Sequence, residues 1–346
     1  MSGILLEQRG LTGEFGAFIT GAGFDREGRQ IAFATGDGRI ILRAVEGDEW
    51  QVVELHDGAV LALAPDAARQ GFLTGGDDGA FRRIASDGEV TDIADFGMKW
   101  VENVASFAHR KTSLIACSAG KRVTLYDGAG GMIRDFTHPS TVTGIALGGK
   151  GKRIAASHYN GASVWFTSSK AEKPQGLEWK GSHTGIAVHP DFAAVVTAMQ
   201  ENALHGWKMP DGQHMRMSGY PAKCESLGFT RSGRWLASAG ADTIVLWPFF
   251  GGGPMGKPPL ELAGGNGAIV KRVACHPQHE VVAAGFADGE VVVADIARER
   301  ILPVAEPGRG AISALCWSPD GGRLGFGTET GFIAIVDFSE KNTGKG

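Results

Sequence analysis

A phrase of about 40 residues recurs eight times along the chain, and no other feature restricts the fold so strongly. Each copy runs through a short alternating apolar strand, a polar turn, a second strand ending in small residues, a tight turn and a third strand. Two clear copies are AGFDREGRQIAFATGDGRIILRA and LGFTRSGRWLASAGADTIVLWPF. Aligned on the residue before the first turn, the copies bring Phe24, Ala64, Ala108, Leu147, Val188, Phe229, Cys275 and Trp317 into register, at spacings between 39 and 46 residues. Helical repeats of this length would need a 3.6-residue period sustained over about ten positions, whereas here the alternation has period two. Glycine interrupts it throughout. It makes up 53 of 346 residues, about twice ordinary usage, which implies many tight turns and therefore many short strands.

Three or four strands per unit at this period is the signature of propeller blades. The expected fold is all-β, a single β-propeller of four-stranded blades, with eight blades preferred and seven as the alternative count. The units fall at about 12–55, 56–97, 98–137, 138–181, 182–219, 220–265, 266–308 and 309–339. An open strand edge templates aggregation, so the first and last blades must be sealed. The eighth unit supplies three strands, ending at Phe338. Residues 3–11, carrying Ile4, Leu5 and Leu6, are therefore expected to complete the last blade, and 340–346 to form a flexible tail.

At these positions the chain resembles the WD-repeat (WD40) propeller family. The family's terminal Trp-Asp pair keeps only its Asp in Tyr126-Asp127, Ala294-Asp295 and Val336-Asp337, and only its Trp at Trp165, Trp207 and Trp247. The turn between second and third strands carries Asp37-Gly38, Asp78-Gly79, Asn160-Gly161, Asp242 and Asp288-Gly289. Such Asx-Gly pairs suit two-residue hairpins that need positive φ. Of the family's Gly-His pair, His56, His138 and His183 remain. The resemblance implies a buried hydrogen-bonded set at His138, Ser157, Asn160 and Trp165, and three of its four members at His183, Thr197 and Trp207.

The net charge is −4, from 34 basic and 38 acidic residues. No global field favours nucleic acid or anionic lipid, so nucleic acid is not an expected partner. No window approaches the roughly 18 apolar residues of a membrane helix, and the N-terminal stretch lacks the basic segment of a signal peptide. Cys117, Cys224, Cys275 and Cys316 lie far apart in apolar contexts and read as reduced core residues of a cytoplasmic protein. The chain has no nucleophile elbow, zincin or phosphate-loop motif. The run GGGPMGKPP lacks the spacing that cradles phosphate, and His276 and His279 lack further ligands and read as solvated turn residues, as does His189. The expectation is accordingly no catalytic residue, no cofactor and no metal. The leading reading is a non-catalytic scaffold, monomeric on its own, that binds an unidentified protein or peptide on its rigid rim. The alternative is a small-molecule- or metal-binding propeller, with hydrolase activity as its extreme form.

Two surfaces offer residues that turn chemistry does not explain. The resemblance implies that the loops from fourth to first strands share a face used for binding partners. Lys99, Trp100, Tyr220, Lys223, Lys271, Arg272 and Arg309 fall there, and aromatic and cationic groups on a rigid rim are typical of interaction hot spots. On the opposite face the sixth unit inserts PFFGGGPMGKPP, which carries Phe249, Phe250 and Met255. Apolar groups exposed in such a loop would need a partner.

Overall fold

The computed structural model describes residues 4–168, 173–264 and 266–339. Among them thirty strands and one short helix, Leu5–Arg9, account for the regular structure. Unit one sets the pattern, a meander of Ile19–Phe24, Gln30–Thr35, Arg39–Ala44 and Gln51–Glu54 hydrogen-bonded in that order. The second strand, QIAFAT, is buried throughout and the outermost, QVVE, is largely exposed. A strand covered on both faces reads as a continuous apolar run, and one at a wet edge does not. Ile31 and Phe33 pack against Ala314, Ile333 and Ile335 of unit eight, while Ala32, Ile40 and Leu42 pack against Leu55, Phe72 and Ile84 on the side of unit two. The core is therefore a succession of sheet-on-sheet seams between neighbouring units. At the Asp37-Gly38 turn Gly38 has φ 90°, and a Cβ there would lie 2.1 Å from the His56 carbonyl oxygen. That hairpin needs glycine both for its dihedral and for the close approach of the neighbouring loop.

The architecture is a single all-β propeller. Its backbone hydrogen bonding forms seven sheets, six of four strands and one of six, which corrects the preferred count of eight blades to the alternative of seven. The cause lies in units four and five. Segment Arg153–Phe166 runs unbroken through a turn at Asn160 (φ 65°) and Gly161 (φ 137°), and Thr167 N–H donates to Lys152 C=O at 3.0 Å, so it folds back on itself. Strand Gln175–Val188 then pairs with 159–164 through its first part and with 195–199 through its second. One continuous ladder thus carries the strand complement of both units.

At the N-terminus, Gly10–Glu14 lies antiparallel to Phe332–Asp337, from Gly10 opposite Val336 to Glu14 opposite Phe332. It forms the outer strand of the sheet that holds Ile312–Trp317 and Arg323–Thr328. The expected apolar trio is not that strand. Leu5 and Leu6 sit in the helix, and Leu6 packs into a seam with Val304 and Ile312. Glu7 reaches Arg309 at 3.0 Å. The pairing falls one step later, on GLTGE, because the apolar residues are held by the units seven–eight seam. The tail at 340–346 lies outside the described residues. The four cysteines are free, and burial pushes each thiol up to about 12.

Candidate interaction surfaces

In an antiparallel meander the second-to-third turns and the fourth-to-first connections share one end, called here the upper rim. The other two sets of loops form the lower rim. Buried polar clusters hold the upper rim to the blades. In unit two, His56 Nδ1 lies 2.9 Å from Asp78 Oδ1 and Nε2 lies 3.1 Å from Thr74 Oγ1, while Arg82 donates to Asp78 at 3.0 Å. Burial pulls the His56 pKa below its ordinary value, against the opposing pull of Asp78. Burial also works to raise the Asp78 carboxyl, but hydrogen bonds from Ala80 N–H and His56 outweigh it and hold the group low.

In unit six a different residue takes this place. Tyr220 is 8% exposed; its hydroxyl accepts from Trp247 Nε1 at 2.6 Å and meets Ser238 Oγ at 2.6 Å. Burial raises its pKa. Tyr220 is thus a clamp inside the blade, which removes it from the exposed candidates. Of the sets implied by resemblance, His183 meets Thr197 at 2.7 Å, and Trp165 Nε1 donates to His138 Nε2 at 3.3 Å. Ser157 instead pairs with Thr143, and Asn160 accepts from Gly181 N–H.

The remaining candidates divide. Lys271 and Arg272 both pair with Glu225, at 3.0 and 3.2 Å, and Arg272 also donates to the Ser313 carbonyl. Arg309 is held by Glu7 and by the ring of Phe332. Lys223 is half-buried. Among the described residues Lys99 and Trp100 have no such ties: Trp100 is 56% exposed, and the neighbouring Met98 is 99% exposed. A chain of contacts leads from there across the rim. The Lys99 stem lies against Gly120, whose carbonyl accepts from Val142 N–H, and the Tyr159 N–H donates to Ser140 Oγ. Tyr159 is itself 58% exposed. Beside it opens a cleft of about 1080 Å³ lined by His138, Ser140, His158, Tyr159, Trp179 and Lys180. Burial takes the His138 pKa down to about 4, so it stands there as a neutral ring. Only solvent accessibility distinguishes Met98 and Tyr159, and no period or motif signals it.

On the lower rim, Phe249 packs edge-on to Phe229 at 4.8 Å and Phe250 to Trp235 at 5.1 Å. Lys257 closes the loop by donating to the Phe250 carbonyl at 2.7 Å. Both rings fold back onto their own blade, and Met255 alone of the three is 55% exposed. The two His-Pro turns are not simply solvated: His189 Nε2 reaches Gly233 C=O at 3.1 Å and His276 Nε2 reaches Gly321 C=O at 3.2 Å, each latching one unit to the next. Among the described residues no group of three His, Cys, Asp or Glu is placed to hold a metal ion, and no helix is long and apolar enough to cross a membrane.

Comparison with known proteins adds to this geometry. Residues 273–345 match the anaphase-promoting complex subunit 4 WD40 domain. Telomerase protein component 1 of Mus musculus is 24% identical over 86% of the chain, and autophagy-related protein 16 of Arabidopsis thaliana is 20% identical over 81%. The chain spans 11% and 56% of the lengths of those two relatives. Among solved structures, the computationally designed Ika8 protein superposes with a TM-score of 0.74 at 19% identity, covering 94% of this chain and 97% of its own.

Proposed function

The chain belongs to the WD40-repeat family, and we propose on that premise that it is a non-catalytic scaffold that binds a protein or peptide on its upper rim. The observation that carries this reading is the exposure of Met98 and Trp100 on either side of Lys99, on the upper rim that also bears the cleft. Rigid aromatic anchors lose little entropy on binding, and an adjacent cleft can take a partner side chain. The same reading makes the protein monomeric and cytoplasmic, with the whole of 1–339 acting as one domain sealed by the pairing of its first and last strands. Removing residues 1–14 should then lower thermal stability far more than removing 340–346.

The test is stoichiometric capture of a partner from source lysate by the wild type and by a Met98→Asp, Trp100→Ala double variant. Loss of capture with an unchanged melting temperature supports the upper rim. Retention of capture by that variant overturns it. A second reading has one observation in its favour, the neutral His138 ring in the cleft wall, which suits a small polar ligand. Metabolites that raise the melting temperature of the wild type but not of Trp179→Ala would favour it.

A further inference from the structure

The net charge of −4 conceals an uneven spread of unpaired cations on the lower rim. Over units one, two and seven the exposed charges there are mixed: Glu46, Asp48, Glu49, Asp87 and Glu299 stand among Arg29, Arg69, Arg298 and Arg300, and the first three of these arginines are paired with carboxylates. Over units three and four they include Arg110, Lys111, Lys150 and Lys152, all exposed and none in an ion pair among the described residues. These four cations sit on adjacent turns in contact. A Cβ on Gly151 would lie 2.8 Å from the Phe107 ring and 3.0 Å from Thr112, so the unit-four turn rests directly on unit three. On its other side Gly149 approaches Phe192 of unit five. There a hollow of about 250 Å³ opens between Lys150, Lys152, Arg153, Phe166, Pro190 and Asp191. Arg153 is held between two rings, 5.1 Å from the centre of Phe166 and 5.0 Å from that of Phe192, and Phe166 is still 50% exposed. Lys208 adds an exposed cation, and among the described residues Asp127, Asp191 and Asp211 are exposed carboxylates of these turns. Asp127 is occupied by its own turn, accepting from Ala129 and Gly131 N–H at 2.9 Å.

We propose that this lower-rim patch of units three to five binds single-stranded nucleic acid, with phosphates along Arg110, Lys111, Lys150 and Lys152 and a base stacked on Phe166. A groove of cations with an aromatic platform is how strands are held without sequence readout. An anionic membrane fits less well. Phe166 is only half exposed and is held against Arg153, so little of it is free to insert into lipid, and the hollow also holds the Asp191 carboxylate. Against a base, the same carboxylate accepts an amino hydrogen. The site lies on the opposite face from the proposed protein-binding rim and does not depend on it.

The experiment is fluorescence anisotropy of the whole chain with labelled single-stranded oligocytidylate, with an RNA duplex, and with phosphatidylserine–phosphatidylcholine vesicles read by co-sedimentation. Four phosphate contacts on a single strand give a log–log salt slope of about −2.8, so affinity should fall about 50-fold between roughly 50 and 200 mM salt. Lys150→Asn with Lys152→Gln should flatten that slope by about 1.4; Asn suits Lys150, whose φ is 61°. Phe166→Ala should weaken single-strand binding about tenfold, and Lys99→Glu on the upper rim should leave it unchanged. The proposal is overturned by vesicle binding without oligonucleotide binding, by a duplex held as tightly as the single strand, by no binding at about 50 mM salt, or by lysine variants that bind like the wild type while melting like it.

Discussion

Units two and six solve one mechanical problem with different chemistry. Each must tie its incoming upper-rim connection to the buried second strand. Unit two does so with His56, Thr74 and an ionised Asp78 backed by Arg82; unit six uses Tyr220, Ser238 and Trp247, with no charge at all. The comparison separates what the position requires from what it tolerates. It requires a polar atom at the end of a flat ring, within hydrogen-bond reach of a strand-two hydroxyl. Ionisation is optional. Where charge is present it brings partners, because a carboxylate this enclosed needs several donors.

Substitutions can break this comparison at graded strength. Tyr220→Ala should cost most, about 3–5 kcal/mol, because it leaves a cavity as well as two orphaned partners; the urea midpoint would report it. His56→Ala should cost about 2 kcal/mol by stripping Asp78 and Thr74 of a donor and an acceptor, and His56→Gln should recover part of that loss if the hydrogen bonds matter more than the ring. Tyr220→Phe should cost about 1 kcal/mol, since packing stays and only the hydroxyl goes. The smallest effect is in pH dependence. The His56 pKa is lowered in the folded state, so its stabilising contribution is complete above the ordinary value of 6.5 and is lost as the pH falls below it. The wild type should therefore lose melting temperature on acidification from about pH 6.5, with His138 and His205 extending the loss toward about 4. His56→Gln should shallow that profile, while Tyr220→Phe should shift it down without changing its slope. Equal slopes for all three proteins would show that the charged cluster titrates no differently from the neutral one.

Most of the frame was legible because a period near 40 residues is a property of the whole chain and tolerates local erosion. The turns were legible for the same reason: Asp37-Gly38 and Asn160-Gly161 satisfy a dihedral requirement that few other pairs meet. What escaped were features set by contact across units. Ile4–Leu6 has the composition of a strand, but its apolar surface is claimed by the seam between units seven and eight, and the hydrogen bonds pass to the plainer GLTGE. Tyr220 reads as a rim aromatic until the strand-two hydroxyl opposite it is located. His189 and His276 look like turn residues in isolation because their acceptors, Gly233 and Gly321, lie 44 and 45 residues away. The continuity of units four and five depends on whether a strand breaks between Lys180 and His183, and no local propensity decides that. The basic patch escaped because composition averages it over the whole ring.

The pairing of Gly10–Glu14 with Phe332–Asp337 also sets a schedule. The first of these strands leaves the ribosome with no partner, and its partner is made more than 300 residues later. At about 5–20 residues per second that interval is roughly 16–64 s. Throughout it, Gly10–Glu14 waits as a short glycine-containing segment of low β-propensity. A strongly strand-forming sequence there would close faster in the finished protein, yet it would spend the wait offering its edge to neighbouring nascent chains.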